Sequence, residues 1–124
     1  MIFLVDTHAL FWLLSGDKKL SGKAKLTIEQ ADRIYVPTIV LLELLYLFEK
    51  KKTTKTFTKV LESIKRTSHY TIISQDVTVV EETSKLSMEL EMHDRIIVAT
   101  AKILSVPLIT KDKVIKKLYK NTIW

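Results

Sequence analysis

Apolar residues in this chain fall into short blocks separated by polar stretches, and their period changes from block to block. The first block, IFLV at residues 2–5, is a continuous apolar run ended by Asp6, as expected of a strand buried in a parallel sheet. Helix signals follow at once in HALFWLL. Ser21 is placed to cap a helix through about Asp32, after which IYV at 34–36 reads as a second strand stopped by Pro37. Thr38 opens a long helix. Beyond it Phe57, Val60, Leu61 and Ile64 recur at i, i+3, i+4, i+7, and TIIS at 71–74 follows as a third strand. DVTVVEETSKLSMELEM is helical with a break near residues 84–87. His93 or Asp94 starts a helix with Ile97, Val98, Ala101 and Leu104 on one face, and VPLI at 106–109 is a fourth strand. A short basic helix and a candidate edge strand, TIW, close the chain.

Strands alternating with helices imply right-handed crossovers. The predicted fold class is α/β, a three-layer α/β/α sandwich around a central parallel sheet of about five strands. With 124 residues, 47% of them hydrophobic, and no linker or repeat, residues 1–124 are expected to form a single domain with one core.

Composition removes several chemistries. The absence of cysteine excludes disulfide scaffolds, zinc ribbons and thiol nucleophiles. Gly16 and Gly22 are the only glycines, which removes GxGxxG and the P-loop. The longest apolar run, residues 39–48, is about half of a membrane span, and MIFLVD lacks a basic leader before its apolar stretch, so a cytoplasmic protein without membrane association is expected. A net charge of +6, clustered at Lys50, Lys51, Lys52, Lys55, Lys59, Lys65 and Arg66 and again at Lys111, Lys113, Lys116, Lys117 and Lys120, fits either polyanion binding or solvated helix faces.

The run IVLLELLYLF holds one carboxylate, Glu43, in an otherwise apolar or aromatic helix. A carboxylate taken out of water is costly unless a cation or hydrogen-bond donors compensate it. Other acids are placed to join it. Asp6 follows the first strand, Asp112 lies three residues beyond Ile109, and Asp94 precedes Ile97 and Val98 on the helix face that packs on the sheet. Ligands of open parallel sheets bind beyond the carboxyl ends of strands where strand order reverses. Asp6, Glu43, Asp94 and Asp112 can converge on that rim only if a cation offsets their repulsion, and an all-oxygen set fits Mg²⁺ or Mn²⁺ better than zinc or copper.

Taken singly, each acid has a plainer reading. Asp6, Asp94 and Asp112 are also good helix caps, and Glu43 could pair with a core arginine or lysine. His8, His69 and His93 show no HxxxH spacing and are expected to be structural or exposed.

The chain resembles the PIN-domain ribonucleases, and within them the VapC-like toxins of type II toxin–antitoxin pairs. The resemblance rests on FLVDTHALFWLL, PTIVLLELLYL and HDRIIVATAKILSVPLITKD and covers nearly the whole chain. It implies that Asp6, Glu43, Asp94 and Asp112 are the catalytic acids and hold one or two Mg²⁺ or Mn²⁺ ions. It implies that the hydroxyl of Thr110, and that of Thr7, orients a water or ligand. The implied reaction is RNA phosphodiester hydrolysis leaving a 5′-phosphate and a 3′-hydroxyl, with tRNA or another structured RNA as substrate. Many relatives carry D-P-F-D-R where this chain has Glu91-Met92-His93-Asp94-Arg95, so the acid is kept and the Pro-Phe pair is lost.

The resemblance also implies a homodimer and a cognate antitoxin protein, with Phe11, Trp12 and part of the 39–48 helix at one of those interfaces. The nearly all-round apolar character of that helix is in keeping with a partner surface. The alternatives are an RNA-processing nuclease without an antitoxin and an inactive RNA-binding or scaffold domain.

Overall fold

The computed structural model describes residues 1–51 and 55–124. Strand β1 (Ile2–Val5) leads into α1 (Thr7–Ser15), α2 (Gly22–Gln30), β2 (Arg33–Pro37), α3 (Thr38–Lys51), α4 (Phe57–Arg66), β3 (Tyr70–Ile73) and α5 (Val77–Ser84). Helix α6 (Met92–Leu104), β4 (Leu108–Ile109), α7 (Lys113–Leu118) and β5 (Thr122–Ile123) complete the order.

The five strands are all parallel in the order β3-β2-β1-β4-β5. The chain therefore walks outward from β1 through β2 to β3, then crosses back to lay β4 on the other side of β1. That reversal puts the topological switch point at the carboxyl ends of β1 and β4. Strand β1 is the middle strand, and its Leu4 and Val5 are fully buried. Helices cover both faces of the sheet in the α/β/α arrangement expected from the strand–helix alternation.

Local chemistry sets the ends of the elements. Ser21 Oγ accepts from the Ala24 N–H at 3.0 Å and starts α2, as its sequence position predicts. Helix α2 stops at Gln30, short of Asp32, because the Asp32 N–H bonds the Met1 carbonyl at 2.9 Å and its carboxylate pairs with the terminal ammonium. Strand β2 does not stop before Pro37; that residue is its last position, aligned with Ile73 at the end of β3. Strand β4 is shorter than the predicted 106–109. Ser105 turns left-handed (φ 53°), the Val106 N–H returns to the Ala101 carbonyl at 3.1 Å, and Pro107 has no N–H to offer a ladder.

The core is built from fully buried Leu4, Leu10, Ile34, Leu44, Leu108 and Ile109. Ile97, Val98 and Ala101 of α6 join it as the spacing predicts. Helix α3 is less enclosed than its sequence implies: Val40, Leu41, Leu44 and Phe48 are buried, whereas Leu42 and Tyr46 are each 60% exposed. Phe11 is not a surface residue. It sits in the core, edge-on to Phe48 at 5.8 Å, which removes it from the expected partner surface. Among the described residues, no helix is long and apolar enough to cross a membrane.

Candidate functional site

A cleft of about 620 Å³ opens at the β1/β4 switch point. Asp6, Glu43, Asp94 and Asp112 all line it, from four different parts of the chain, together with Thr7, His8, Trp12, Glu89, Glu91, His93 and Lys111.

Asp6 is the deepest of the acids. Its Oδ1 accepts from the Ala9 N–H at 2.9 Å and so caps α1, and its Oδ2 accepts from the Thr110 hydroxyl. The capping role and the cleft-lining position therefore coexist in one side chain. Burial pushes its pKa from 3.8 to about 6, against the opposing pull of those two hydrogen bonds, and the charges of Asp94 and Asp112 add to the rise. Thr110 itself accepts from the Asp112 N–H at 3.1 Å, tying the end of β4 to the first turn of α7. Asp112 caps that helix through the Ile115 N–H at 2.9 Å.

Glu43 reaches the cleft from α3. The Thr7 hydroxyl donates to its Oε1 at 2.6 Å, and His93 Nε2 lies 3.4 Å from its Oε2. Among the described residues, no arginine or lysine pairs with it; its compensation comes from a hydroxyl and a histidine.

Asp94 occupies the first turn of α6, where the positive end of the helix favours an anion. Glu91 is the residue before that helix and makes no capping hydrogen bond, so its carboxylate remains available to the cleft. Burial raises the Asp94 pKa to about 6; the neighbouring His93 acts against this, and Asp112, Glu43 and Glu91 push further upward.

The histidines divide three ways. His69 is structural, its Nε2 within 2.8 Å of the Ile28 carbonyl. His8 is exposed at the lip, stacked at a tilt against Trp12, and burial of its inner edge lowers its pKa. His93 differs from the expectation of a structural or exposed residue: its Nε2 stands 3.4 Å from Glu43, 3.5 Å from Asp94 and 3.6 Å from Glu91. Spacing rules for histidine pairs miss it because Glu43 comes from another helix. The readable signal was the run Glu91-x-His93-Asp94 at a helix start.

Glu91, His93 and Asp94 bring one ligand atom each within 4.8 Å of one another. With Asp6, Glu43 and Asp112 beside them, the donors are five carboxylates and one imidazole; burial, reinforced by the repulsion among the acids, raises the Asp6 and Asp94 pKa values to about 6. This donor set fits a hard or borderline divalent ion.

Of the described basic residues singled out from sequence, only Lys111 lines the cleft, its Nζ 5.7 Å from the Trp12 ring centre. Lys65 pairs with Glu62 and Lys117 with Glu89, while Lys52 lies outside the described residues.

A parallel sheet with acidic side chains gathered beyond its central strands defines an α/β protein with its ligand cleft at the switch point. Within that class the chain belongs to the PIN domain family, whose sequence profile matches residues 3–121. Among curated proteins none matches it in sequence. Its fold is similar to that of a toxin–antitoxin complex from Klebsiella pneumoniae (23% identity, TM-score 0.76, covering 98% of this chain and 95% of that one). It is similar to VapBC2 from Rickettsia felis, solved bound to a DNA fragment from its promoter (20%, TM-score 0.66, 99% and 96%). It is also similar to VapC20 of Mycobacterium tuberculosis, described as a sarcin-ricin-loop-cleaving toxin (16%, TM-score 0.70, 90% of each chain).

Proposed function

We propose that this protein is a metal-dependent endoribonuclease, acting as the toxin of a toxin–antitoxin pair in the cytoplasm. The observation that carries the reading is the gathering of Asp6, Glu43, Asp94 and Asp112 in one cleft at the β1/β4 switch point of a PIN-family chain. Such crowding is unfavourable without a cation: burial raises the pKa values of Asp6 and Asp94 to about 6, and the neighbouring acids add to the rise.

Asp6, Glu43, Asp94 and Asp112 would hold one or two Mg²⁺ or Mn²⁺ ions. When bound, a divalent ion there supplies Lewis acidity toward a phosphate oxygen and eases deprotonation of the attacking water. The chain's own groups do the positioning. Thr110 and the Ala9 N–H fix both oxygens of Asp6, so the innermost carboxylate cannot rotate away. Thr7 fixes Glu43 in the same manner. These two hydroxyls are committed to carboxylates, and their role on this reading is to orient acids rather than to touch the substrate.

Lys111 at the lip places a positive charge where a backbone phosphate enters, and half-buried Trp12 beside it offers a ring face for a base. The chemistry is hydrolysis: the water oxygen bonds to phosphorus, the bond to the 3′-oxygen breaks, and that oxygen takes up a proton. A 5′-phosphate and a 3′-hydroxyl result.

The fold's likeness to toxin–antitoxin proteins supports an antitoxin partner, and the exposed Leu42 and Tyr46 on α3 support a homodimer or antitoxin contact. The test is cleavage of labelled tRNA and of sarcin–ricin-loop RNA by purified protein with Mg²⁺, Mn²⁺ or EDTA, beside Asp6→Asn and Asp94→Asn. Metal-dependent fragments that vanish in both variants are expected. Fragments that persist in both variants or in EDTA would refute the assignment.

A further inference from the structure

His93 stands in the acidic cleft without a hydrogen-bond geometry to explain it. Its Nε2 has carboxylate oxygens of Glu43, Asp94 and Glu91 at 3.4, 3.5 and 3.6 Å. An N–H···O bond falls at about 2.7–3.2 Å, and one ring nitrogen can direct at most one hydrogen. A nitrogen nearly equidistant from three carboxylates, at distances beyond a good hydrogen bond to any, is placed for a shared third body.

The spacing has a quantitative counterpart. Two donors on one ion with bonds of about 2.1 Å lie about 3.0 Å apart at a right angle and about 3.4 Å apart at the tetrahedral angle. The separations of 3.5 and 3.6 Å from His93 Nε2 to Asp94 and Glu91 fall between the right-angle value and the about 4.2 Å of two donors on opposite sides of one ion, so a small inward shift suffices to seat them on it. The two acids of the outer cluster are also free to act as ligands. Glu91 makes no capping bond, and Asp94 sits in the first turn of α6 without serving as its cap.

Resting on the metal-dependent reading above, we propose that His93 Nε2 is an inner ligand of the bound ion. With Glu91 and Asp94 it forms a nitrogen-bearing position at the outer lip of the cleft, and this position discriminates Mn²⁺ from Mg²⁺. Mg²⁺ keeps to oxygen ligands and gives up water reluctantly, whereas a first-row transition ion such as Mn²⁺ accepts an imidazole nitrogen beside carboxylates more readily. Asp6 and Asp112 offer oxygens only. The preference therefore resides in the Glu91–Asp94 segment, and removing one ring removes it.

The test uses the full-length protein and the metals alone, with no RNA present. Mn²⁺ bound to the wild type is examined by pulsed electron paramagnetic resonance for ¹⁴N coupling, and Mn²⁺ and Mg²⁺ affinities are measured by calorimetry on the wild type and His93→Phe. A ¹⁴N coupling is expected in the wild type and not in His93→Phe. Mn²⁺ binding is expected to weaken by about tenfold or more, in line with what even indirect ligand partners contribute, while Mg²⁺ binding stays nearly unchanged. His93 is half-exposed, so the phenylalanine variant is expected to fold; the wild-type spectrum decides the point independently of any variant. Bound Mn²⁺ with no ¹⁴N coupling overturns the proposal and leaves the metal-dependent reading standing. Equal loss of both ions in His93→Phe, or a ¹⁴N signal that survives in it, also overturns it. Failure of the wild type to bind either ion overturns both.

Discussion

The inner and outer halves of the cleft hold their carboxylates by different means. On the inner side, Asp6 and Glu43 are gripped by Thr110, the Ala9 N–H and Thr7, with Thr7 donating at 2.6 Å. On the outer side, His93 Nε2 stands 3.6 Å from Glu91 and 3.5 Å from Asp94, and the Glu91 side chain makes no capping bond to its helix. The inner half is set by folding itself: its donors come from the ends of β1 and β4 and from α1, all anchored in the sheet. The outer half is held only at the backbone, on a helix start, and on the proposed function its side chains are spaced for a cation to draw together. Preorganisation and adaptability thus occupy opposite walls of one cleft.

The largest effect that would break the comparison is catalytic. Asp6→Asn keeps the cap to Ala9 and the shape of the side chain but removes the innermost charge. On the proposed function its cleavage rate falls by about 10³-fold, the upper range for losing one electrostatic contributor to a transition state. Single-turnover kinetics on end-labelled RNA would measure this, and a fall of only a few-fold would move the chemistry to the outer half.

Next in size is Thr110→Val, which keeps the shape and removes the donor to Asp6. A loss of about 10–100-fold in metal affinity or activity is expected, the usual effect of removing a group that orients a ligand. Calorimetry with Mn²⁺ would register it.

The deepest acid of the inner half also carries a stability cost, and Asp94 of the outer half, raised in the same direction by burial, shares it. The Asp6 pKa is raised from 3.8 to about 6 by burial, so between those values the folded protein holds a proton that the unfolded chain has released. Stability of the metal-free protein therefore falls as pH rises through this window, and the ionised carboxylate opposes folding above it. Asp6→Asn in EDTA is expected to gain about 3 kcal/mol at pH 7.5, the equivalent of a rise of about two pKa units, and about 0.5 kcal/mol at pH 4. Urea unfolding at the two pH values would check both the size and the sign; a destabilised variant at pH 7.5 would show that the charge is compensated within the apo fold.

The same contrast explains what could be read from the sequence. The inner acids were legible because they follow strands, and parallel-sheet topology dictates where strand ends go. Asp6 after IFLV and Asp112 after VPLIT follow from element order alone. Glu43 was legible as an anomaly in an apolar run. His93 was not, since its importance depends on where α3 passes α6, a packing relation that local spacing does not encode. Strand ends were misplaced for a similar reason. The length of β4 depends on the Val106 N–H returning to Ala101, and the reach of β2 through Pro37 depends on its pairing with β3. The exposure of Leu42 and Tyr46 could not be foreseen either, because α3 reads as apolar on nearly every side.

The smallest expected effect sharpens the comparison within the inner half itself. Thr7 and Thr110 do the same job, each donating its hydroxyl to one carboxylate oxygen, but their acids differ in access to water. Asp6 is 8% exposed, so a lost donor leaves an oxygen that solvent cannot easily serve; Glu43 opens to the cleft, where water can take the place of Thr7. Thr7→Val should therefore lower metal affinity by only a few-fold, well below the loss for Thr110→Val. If the two variants lose equally, burial is not what ranks the acids, and Glu43 must be held as rigidly as Asp6 by something other than the hydroxyl.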